Sequence, residues 1–386
     1  MKILFVQKVK ALAGSEKYFL ELVPALKNKG IEVEFVCIYN QIDLEKAQHF
    51  IKVYQDLNLK IHTFKVRSDR SILSILKFIR SIYKNGQFDM VHSHLIHADF
   101  WVTLLKRTGT ISCPIVSTKH GYDEAFISDF GFDGHQVPKN FYYKLCRFSE
   151  RKIDRSFAVS NGLKQLFIDS GISKIEKIKT IHHGFDLPEM QNDKNTTYRL
   201  ADQQIIIIGR IIPFKGHHYA LHALANIKPE LNDFCLVILG HGDEALIKDL
   251  KHLVIKLKLE NHVQFMGYKT NIYDYLANSD VMLVPSIAEG FGLVFLEAMQ
   301  AELPIIGFDV PATNEIIQDQ KTGLLVPPYD ENKLGNAILE LLQNESKRKK
   351  LSQQAKERLV SYFCLDRMVD ETVAFYKQSL HVRKTK

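Results

Sequence analysis

S-I-A-E-G-F-G-L-V-F-L-E-A-M-Q, residues 286–300, follows directly on the apolar run Val281 to Pro285. The junction predicts a strand, a tight glycine-bracketed loop and the start of a helix, with Glu289 in the loop and Glu297 inside the helical pattern. Gly290 and Gly292 let the backbone approach a ligand, and the first N–H groups of a helix have no intrahelical acceptor and favour anions. Such a site suits a phosphorylated sugar. Eight helical steps would separate the two Cα atoms by about 12 Å, whereas glycosidase carboxyl pairs stand roughly 5 to 9.5 Å apart across one bond. A hydrolytic pair is therefore disfavoured. Two carboxylates at that reach suit two hydroxylated groups of one elongated ligand, such as the hexose and ribose of a nucleotide sugar.

Working outward, short β-like runs alternate with helical patterns along most of the chain. In the first half the strand candidates are Ile3 to Val6, Val33 to Ile38, Leu59 to Phe64, Met90 to His92, Ile115 to Thr118, Ser156 to Val159 and Lys179 to His182. In the second half they are Gln204 to Ile208, Phe234 to Leu239, Val263 to Met266, Val281 to Val284, Ile305 to Gly307 and Leu324 to Val326. This alternation predicts an α/β chain of two doubly wound Rossmann-like domains facing a cleft, with ligands at the carboxyl ends of the strands. The expected boundaries are an N-terminal domain over 1–186, a polar linker over 187–200 and a C-terminal domain over 201–362. A C-terminal helix over 363–386 is expected to cross back to the first domain.

The 386 residues exceed what one core usually serves. Composition, 46% apolar and 25% charged, is that of a globular soluble chain. No run approaches the roughly 18 apolar residues of a membrane span, and Met1 to Val6 reads as a first strand, not a signal peptide. The five cysteines are scattered without metal-like or disulfide spacing, which fits a reducing cytoplasm. Charge is uneven: residues 1–186 hold 28 Lys and Arg against 19 Asp and Glu, the remainder 23 against 25. Two helical segments, Ser71 to Lys84 and Lys139 to Lys152, mix basic with apolar side chains. Each is either an amphipathic packing helix or a contact with an anionic membrane. Nucleic acid is not an expected partner.

Several short motifs fall at predicted strand ends. Gly209-Arg210 closes I-I-I-I, and Lys215-Gly216 follows a short turn; a guanidinium and an ammonium there would neutralise a diphosphate leaving group. Gly14-Ser15-Glu16 follows the first strand but lacks a full G-x-G-x-x-G. His120-Gly121 follows Ile115 to Thr118, placing an imidazole at the carboxyl edge of the sheet. His92 with His94, and His182 with His183, read as loop structure. No histidine forms a metal set with Asp or Cys partners, and no metal or other cofactor is expected. Tyr122 to Asn140, aromatic and acidic, reads as a loop over an acceptor pocket or as an ordinary long connection.

Together these motifs resemble a retaining glycosyltransferase of glycosyltransferase family 4, with the GT-B fold. The resemblance spans nearly the whole chain: G-S-E at 14–16, H-G at 120–121, V-S-N-G at 159–162, H-G-F-D at 183–186, G-R at 209–210, K-G at 215–216, L-G-H-G-D-E at 239–244, V-Q-F-M-G-Y at 263–268, E-G-F-G-L-V-F-L-E-A-M at 289–299 and G-L-L-V-P-P-Y-D at 323–330. It implies that Arg210 and Lys215 bind the donor diphosphate, Glu297 the ribose and Glu289 the transferred sugar. Backbone N–H groups of Phe291, Gly292 and Leu293 would cap sugar and phosphate, and Phe265 to Lys269, including Tyr268, would flank the base. His120 would lie near the anomeric carbon, and Gly14 would leave room for the diphosphate. Glu289, His120, Arg210 and Lys215 are thus the candidate catalytic residues. The implied reaction is metal-independent transfer of a hexose or N-acetylhexosamine, UDP-linked by preference, to a glycan or lipid-linked acceptor in cell-surface polysaccharide synthesis, at the cytoplasmic membrane face. Gly14-Ser15 and His183-Gly184-Phe185-Asp186 depart from the commoner Gly-Gly and Asn-Gly-Val-Asp. A nucleotide-sugar 2-epimerase on the same scaffold, which would need no acceptor, and a non-catalytic binding module are the competing readings.

Overall fold

A computed structural model describes residues 1–10, 14–67, 71–121, 139–186 and 198–381. Contacts divide the chain into two compact units, one of Met1–Asp186 with Cys364–Lys386 and one of Leu187–Phe363. Residues 187–197, 382–386 and most of the acceptor-loop candidate, 122–138, lie outside the described residues.

The first unit runs β1 (Lys2–Lys8), α1 (Gly14–Asn28), β2 (Glu32–Asn40), α2 (Leu44–Asp56), β3 (Lys60–Val66), α3 (Ile72–Gly86), β4 (Met90–His94), α4 (Leu95–Arg107), β5 (Ile115–Lys119), α5 (Phe141–Glu150), β6 (Arg155–Ala158), α6 (Asn161–Asp169) and β7 (Ile178–Thr180). Its parallel sheet has the order β3-β2-β1-β4-β5-β6-β7. Alternation along β1 explains why both faces are covered. Ile3 and Phe5 join one buried cluster with Tyr18, Phe19, Phe50 and Tyr54 of α1 and α2, while Leu4 and Val6 join a second with Ile75, Ile79 and Trp101 of α3 and α4.

The second unit runs β8 (Gln203–Ile208), α7 (His217–Ile227), β9 (Phe234–Leu239), α8 (Glu244–Lys256), β10 (Val263–Gly267), α9 (Ile272–Ala277), β11 (Val281–Val284), α10 (Leu293–Gln300), β12 (Ile305–Phe308), α11 (Thr313–Ile316), β13 (Leu324–Val326), α12 (Glu331–Gln343) and α13 (Glu345–Tyr362). Its sheet has the order β10-β9-β8-β11-β12-β13, again parallel. In both sheets the strand order reverses beside the first strand, at β1/β4 and β8/β11. That switch point opens a crevice at the carboxyl ends of the strands, where doubly wound sheets bind ligands.

The last helix, α14 (Leu365–His381), returns to the first unit. Met368, Val369, Phe375 and Tyr376 enter the same cluster as Phe5 and Phe19, each worth about 1.5–3 kcal/mol of burial. Arg367 donates to the carbonyls of His182 and His183 at 2.9 and 3.3 Å. An isolated bridge pairs Phe185 with Cys364.

Candidate active site

In the second unit, loops beyond the strand ends stay hydrogen-bonded to one another. The N–H of Gly209 donates to Leu239 O, Ile211 N–H to His241 O and Gly240 N–H to Gly267 O, all at 2.8–2.9 Å. Glycine is required for this zippering: a Cβ on Gly240 would stand 1.8 Å from the Gly209 carbonyl oxygen. Arg210 sits in this seam with an exposed side chain. The chain then makes one 3-10 turn, Pro213–Lys215, closed by Gly216 at φ +68°. A Cβ on Gly216 would meet Pro285 O at 1.9 Å, and Ile287 N–H donates to Phe214 O at 2.9 Å. The loop after β8 is thus fastened to the loop after β11 across the switch point.

That fastening brings Lys215 to Glu289, 74 residues away, at Nζ–Oε1 2.5 Å. The Glu289 side chain is only 5% exposed and that of Lys215 18%. Gly292 caps α10 at φ +83°, and a Cβ there would lie 2.7 Å from the Phe295 ring and 3.5 Å from Glu289 Oε2. The carboxylate of Glu289 therefore lies against the bare start of α10, a position that favours negative charge. One end of the site holds an ion pair against the start of α10, and Arg210 lies five residues before Lys215 in the same loop after β8. This arrangement can receive anionic oxygens and hydroxyl groups side by side.

The remaining donor-side candidates separate by role. Phe291 is buried and meets Phe363 edge-on at 5.7 Å, so only its backbone is offered to a ligand; Leu293 opens α10. Glu297 lies on α10 and is buried. Phe265 packs partly buried against the core with Lys251 over its ring, whereas Tyr268 is 63% exposed and meets His241 edge-on. Within the unit, Arg210, Lys215, Glu289, Gly292 and Tyr268 all belong to loops at the carboxyl edge. His217, next to this loop, is buried and its imidazole is pushed down to about 4 by burial and by Lys215 and His218.

His120 and Gly14 belong to the first unit. Gly14 opens α1 and is exposed. The following residues are tied to β1, since Gln7 Nε2 donates to Ser15 Oγ and to Glu16 Oε1 at 3.2 and 2.6 Å. His120 directly follows β5, and its Nε2 lies 3.0 Å from Nδ1 of His94. Burial pushes the His120 imidazole down to about 3 and holds those of His92, His94 and His183 well below their ordinary range. Tyr18 of α1 packs on His120 and His183 with ring centroids 5.1 and 4.8 Å away.

The expectation that His92 and His94 are loop residues is corrected here. Both lie in β4 and are fully buried. His92 bridges Thr118 Oγ1 at 2.7 Å and the hydroxyl of Tyr376, on α14, at 2.8 Å. Their period-two spacing, H-S-H at a strand end, was the available signal for a shared face. A second buried network escaped the sequence reading. Lys119 binds Asp99 at 2.7 Å and Glu150 at 3.0 Å, while Asp99 accepts from Ser93 and Ser117 and Glu150 from Ser156 and Ser173. Burial alone would lower the Lys119 pKa, but the two carboxylates outweigh it and raise it. A pocket bounded by Ile96, Lys119, His120, Tyr142, Cys146 and Phe167 opens over this network.

In α3, Ile75 and Ile79 pack inward while Leu73, Lys77, Arg80 and Lys84 are exposed. In α5, Tyr143 and Cys146 are buried, whereas Phe141 is 79% exposed beside exposed Lys144 and Arg147. Among the described residues no helix is long and apolar enough to cross a membrane.

The family comparisons agree with this architecture. Residues 12–189 match the family described as Glycosyltransferase Family 4, and residues 190–358 match Glycosyl transferases group 1. The UDP-Gal:alpha-D-GlcNAc-diphosphoundecaprenol alpha-1,3-galactosyltransferase of Escherichia coli is 23% identical over 97% of this chain and 96% of its own length. The N-acetyl-alpha-D-glucosaminyl L-malate synthase of Bacillus anthracis is 26% identical over 95% and 94%. The crystal structure of Anabaena Alr3699/HepE in complex with UDP-glucose superposes with TM-score 0.81 at 19% identity, covering 98% of this chain and 100% of that one. The chain belongs to glycosyltransferase family 4 and is a glycosyltransferase whose two Rossmann-like domains are those of the GT-B fold.

Proposed function

We propose that this enzyme transfers a hexose or N-acetylhexosamine from a UDP-sugar to a lipid-linked glycan acceptor, with retention of anomeric configuration and without a metal ion, in cell-surface polysaccharide synthesis. The observation that carries the reading is the Lys215–Glu289 pair at the switch point, against the start of α10, with Arg210 in the same loop as Lys215. Lys215 and Arg210 take the diphosphate, supplying the positive charge that a metal ion would otherwise bring to the departing phosphate. Glu289 accepts from the sugar hydroxyls, Glu297 from the ribose, Tyr268 flanks the base, and His120 of the first unit contacts the sugar.

In the proposed step the bond from the anomeric carbon to the diphosphate oxygen breaks, and a bond from the acceptor oxygen forms on the same face. The acceptor proton passes to the departing phosphate oxygen. The UDP-linked donor is favoured because HepE binds UDP-glucose and the E. coli relative uses UDP-Gal. A lipid diphosphate acceptor follows that relative's name, and it agrees with exposed basic and apolar side chains on α3 and α5 that suit peripheral contact with an anionic cytoplasmic membrane face. The test is a donor panel of UDP- and GDP-sugars with lipid-linked acceptors, products read by mass spectrometry and by the anomeric proton signal. An inverted product, or transfer that requires a divalent cation, refutes the corresponding part. Conversion of the donor without an acceptor into an epimer would establish the isomerase instead.

A further inference from the structure

His94 and His120 form a two-imidazole pair with one proton between them. Among the described residues the outer nitrogens, His94 Nε2 and His120 Nδ1, have no hydrogen-bond partner. Both rings are held neutral by burial, so each carries a single N–H and the shared contact fixes both tautomers together. In one state His94 Nδ1–H donates to His120 Nε2, and His120 carries its proton on Nδ1. In the other, His120 donates, and the leftover proton sits on His94 Nε2.

The two states differ in where the unpartnered N–H is left. His94 is 0% exposed, with Phe5, Phe19 and Tyr18 packed around it. Aromatic faces are weak acceptors, so a proton on Nε2 there stays unsatisfied for the life of the fold. His120 Nδ1 is itself covered, but the residue is partly exposed and borders the pocket with Tyr142 and Phe167, so a ligand seated in that pocket is the one route by which an oxygen meets it. An unpartnered buried N–H is rarer and costlier than an unpartnered lone pair. With a ligand in place, the first state leaves no orphan donor and the second always leaves one.

We propose that His94 is a positioning residue: it donates from Nδ1 to Nε2 of His120 and so holds His120 as the Nδ1–H tautomer, a hydrogen-bond donor to a ligand oxygen and not a general base. Both the ligand contact of His120 and the tautomer preference rest on the proposed function, because without a ligand each state leaves one buried N–H unpartnered.

Two-bond 1H–15N NMR of the full-length protein, with histidine rings labelled and His94→Asn and His120→Ala used for assignment, reads the tautomers directly. With the nucleotide sugar that turns over bound, protonated Nδ1 on both His94 and His120 at neutral pH is expected, and a proton on His120 Nε2 overturns the proposal. Kinetics give the second arm, using UDP release from UDP-glucose, UDP-galactose or UDP-N-acetylglucosamine, whichever turns over. His94→Leu, which removes the donor, should lower kcat about tenfold or more with little change in donor KM. His94→Asn, which keeps an N–H near the Nδ1 position, should restore most of that loss. Equal losses in the two variants would overturn the positioning role. Wild-type turnover by His120→Ala would instead refute the ligand contact of His120, and the NMR result would still decide the tautomer.

Discussion

Replacing Lys215 by Met tests the centre of the site, because two consequences of the ion pair can be separated. The first is stability. Stripping one partner from a fully buried pair costs about 3–5 kcal/mol, and an exposed pair is worth about 0–1 kcal/mol. With Glu289 5% and Lys215 18% exposed, Lys215→Met should cost about 2 kcal/mol. In a unit of this size the thermal midpoint should fall by about 4–8 °C. Glu289→Gln strands a cation that can turn to water, so it should cost less. The double variant Lys215→Met/Glu289→Gln strands neither charge and should be more stable than the sum of the singles by about 1–2 kcal/mol. The second consequence is chemistry: removing the ammonium should lower transfer by about 10² to 10³, as for loss of one charge-stabilising donor, and the double variant should not recover it. Denaturation followed by circular dichroism and a UDP-release assay read the two separately. Additive stabilities would show that the pair is not coupled. Recovery of transfer in the double variant would show that Lys215 acts on folding alone.

Gly216→Ala puts a Cβ 1.9 Å from Pro285 O at φ +68°, so it should unfasten the two loops and abolish transfer; wild-type activity would contradict the fastening. Glu34, on β2, is held by Lys2, Lys60 and His62. Burial would raise its pKa, but these partners bring it down to about 2 from 4.5. A depressed carboxylate contributes stability that is present above the unfolded value and lost as pH falls through the folded one, so roughly 1–2 kcal/mol should disappear between about pH 5 and 2. Glu34→Gln should remove that part of the acid slope in urea melts, and an unchanged slope would refute it. Tyr376→Phe removes the buried partner of His92 Nδ1 and should destabilise the first unit by about 1–3 kcal/mol, read as a lower thermal midpoint.

Much of this was legible in the sequence because strands buried on both faces read as apolar runs. Phe234–Leu239, Val281–Val284 and Leu324–Val326 coincide with the expected strands, and Gly240, Pro285 and Pro327 mark where each gives way to its loop. The proximity of Lys215 to Glu289 was not legible from spacing, since it depends on strand order at the switch point and on Gly216 fitting under Pro285. The same holds for His94. Its period-two offset from His92 places both on one face, but only the register of β4 against β5 brings it to His120. The Lys119 network was hidden because its charges come from α4, β5 and α5, with no sequence motif joining them.

The pairing of Lys215 with Glu289 also bears on how the donor is held. Without ligand the two charges satisfy each other, so neither is stranded in a buried site. In the proposed function a nucleotide sugar brings phosphate oxygens for Lys215 and hydroxyls for Glu289, replacing both halves of the contact. UDP alone brings only the phosphate, so it must share Lys215 with a carboxylate that gains nothing in return. On that proposal the sugar contributes affinity through Glu289, and Glu289→Gln should remove that contribution while relieving the competition for Lys215. Calorimetric titration of UDP and UDP-glucose into wild type and Glu289→Gln should show the preference for UDP-glucose over UDP falling by about tenfold, with UDP itself bound at least as well. A preference unchanged by Glu289→Gln would take Glu289 off the sugar and leave it only as the counter-ion of Lys215.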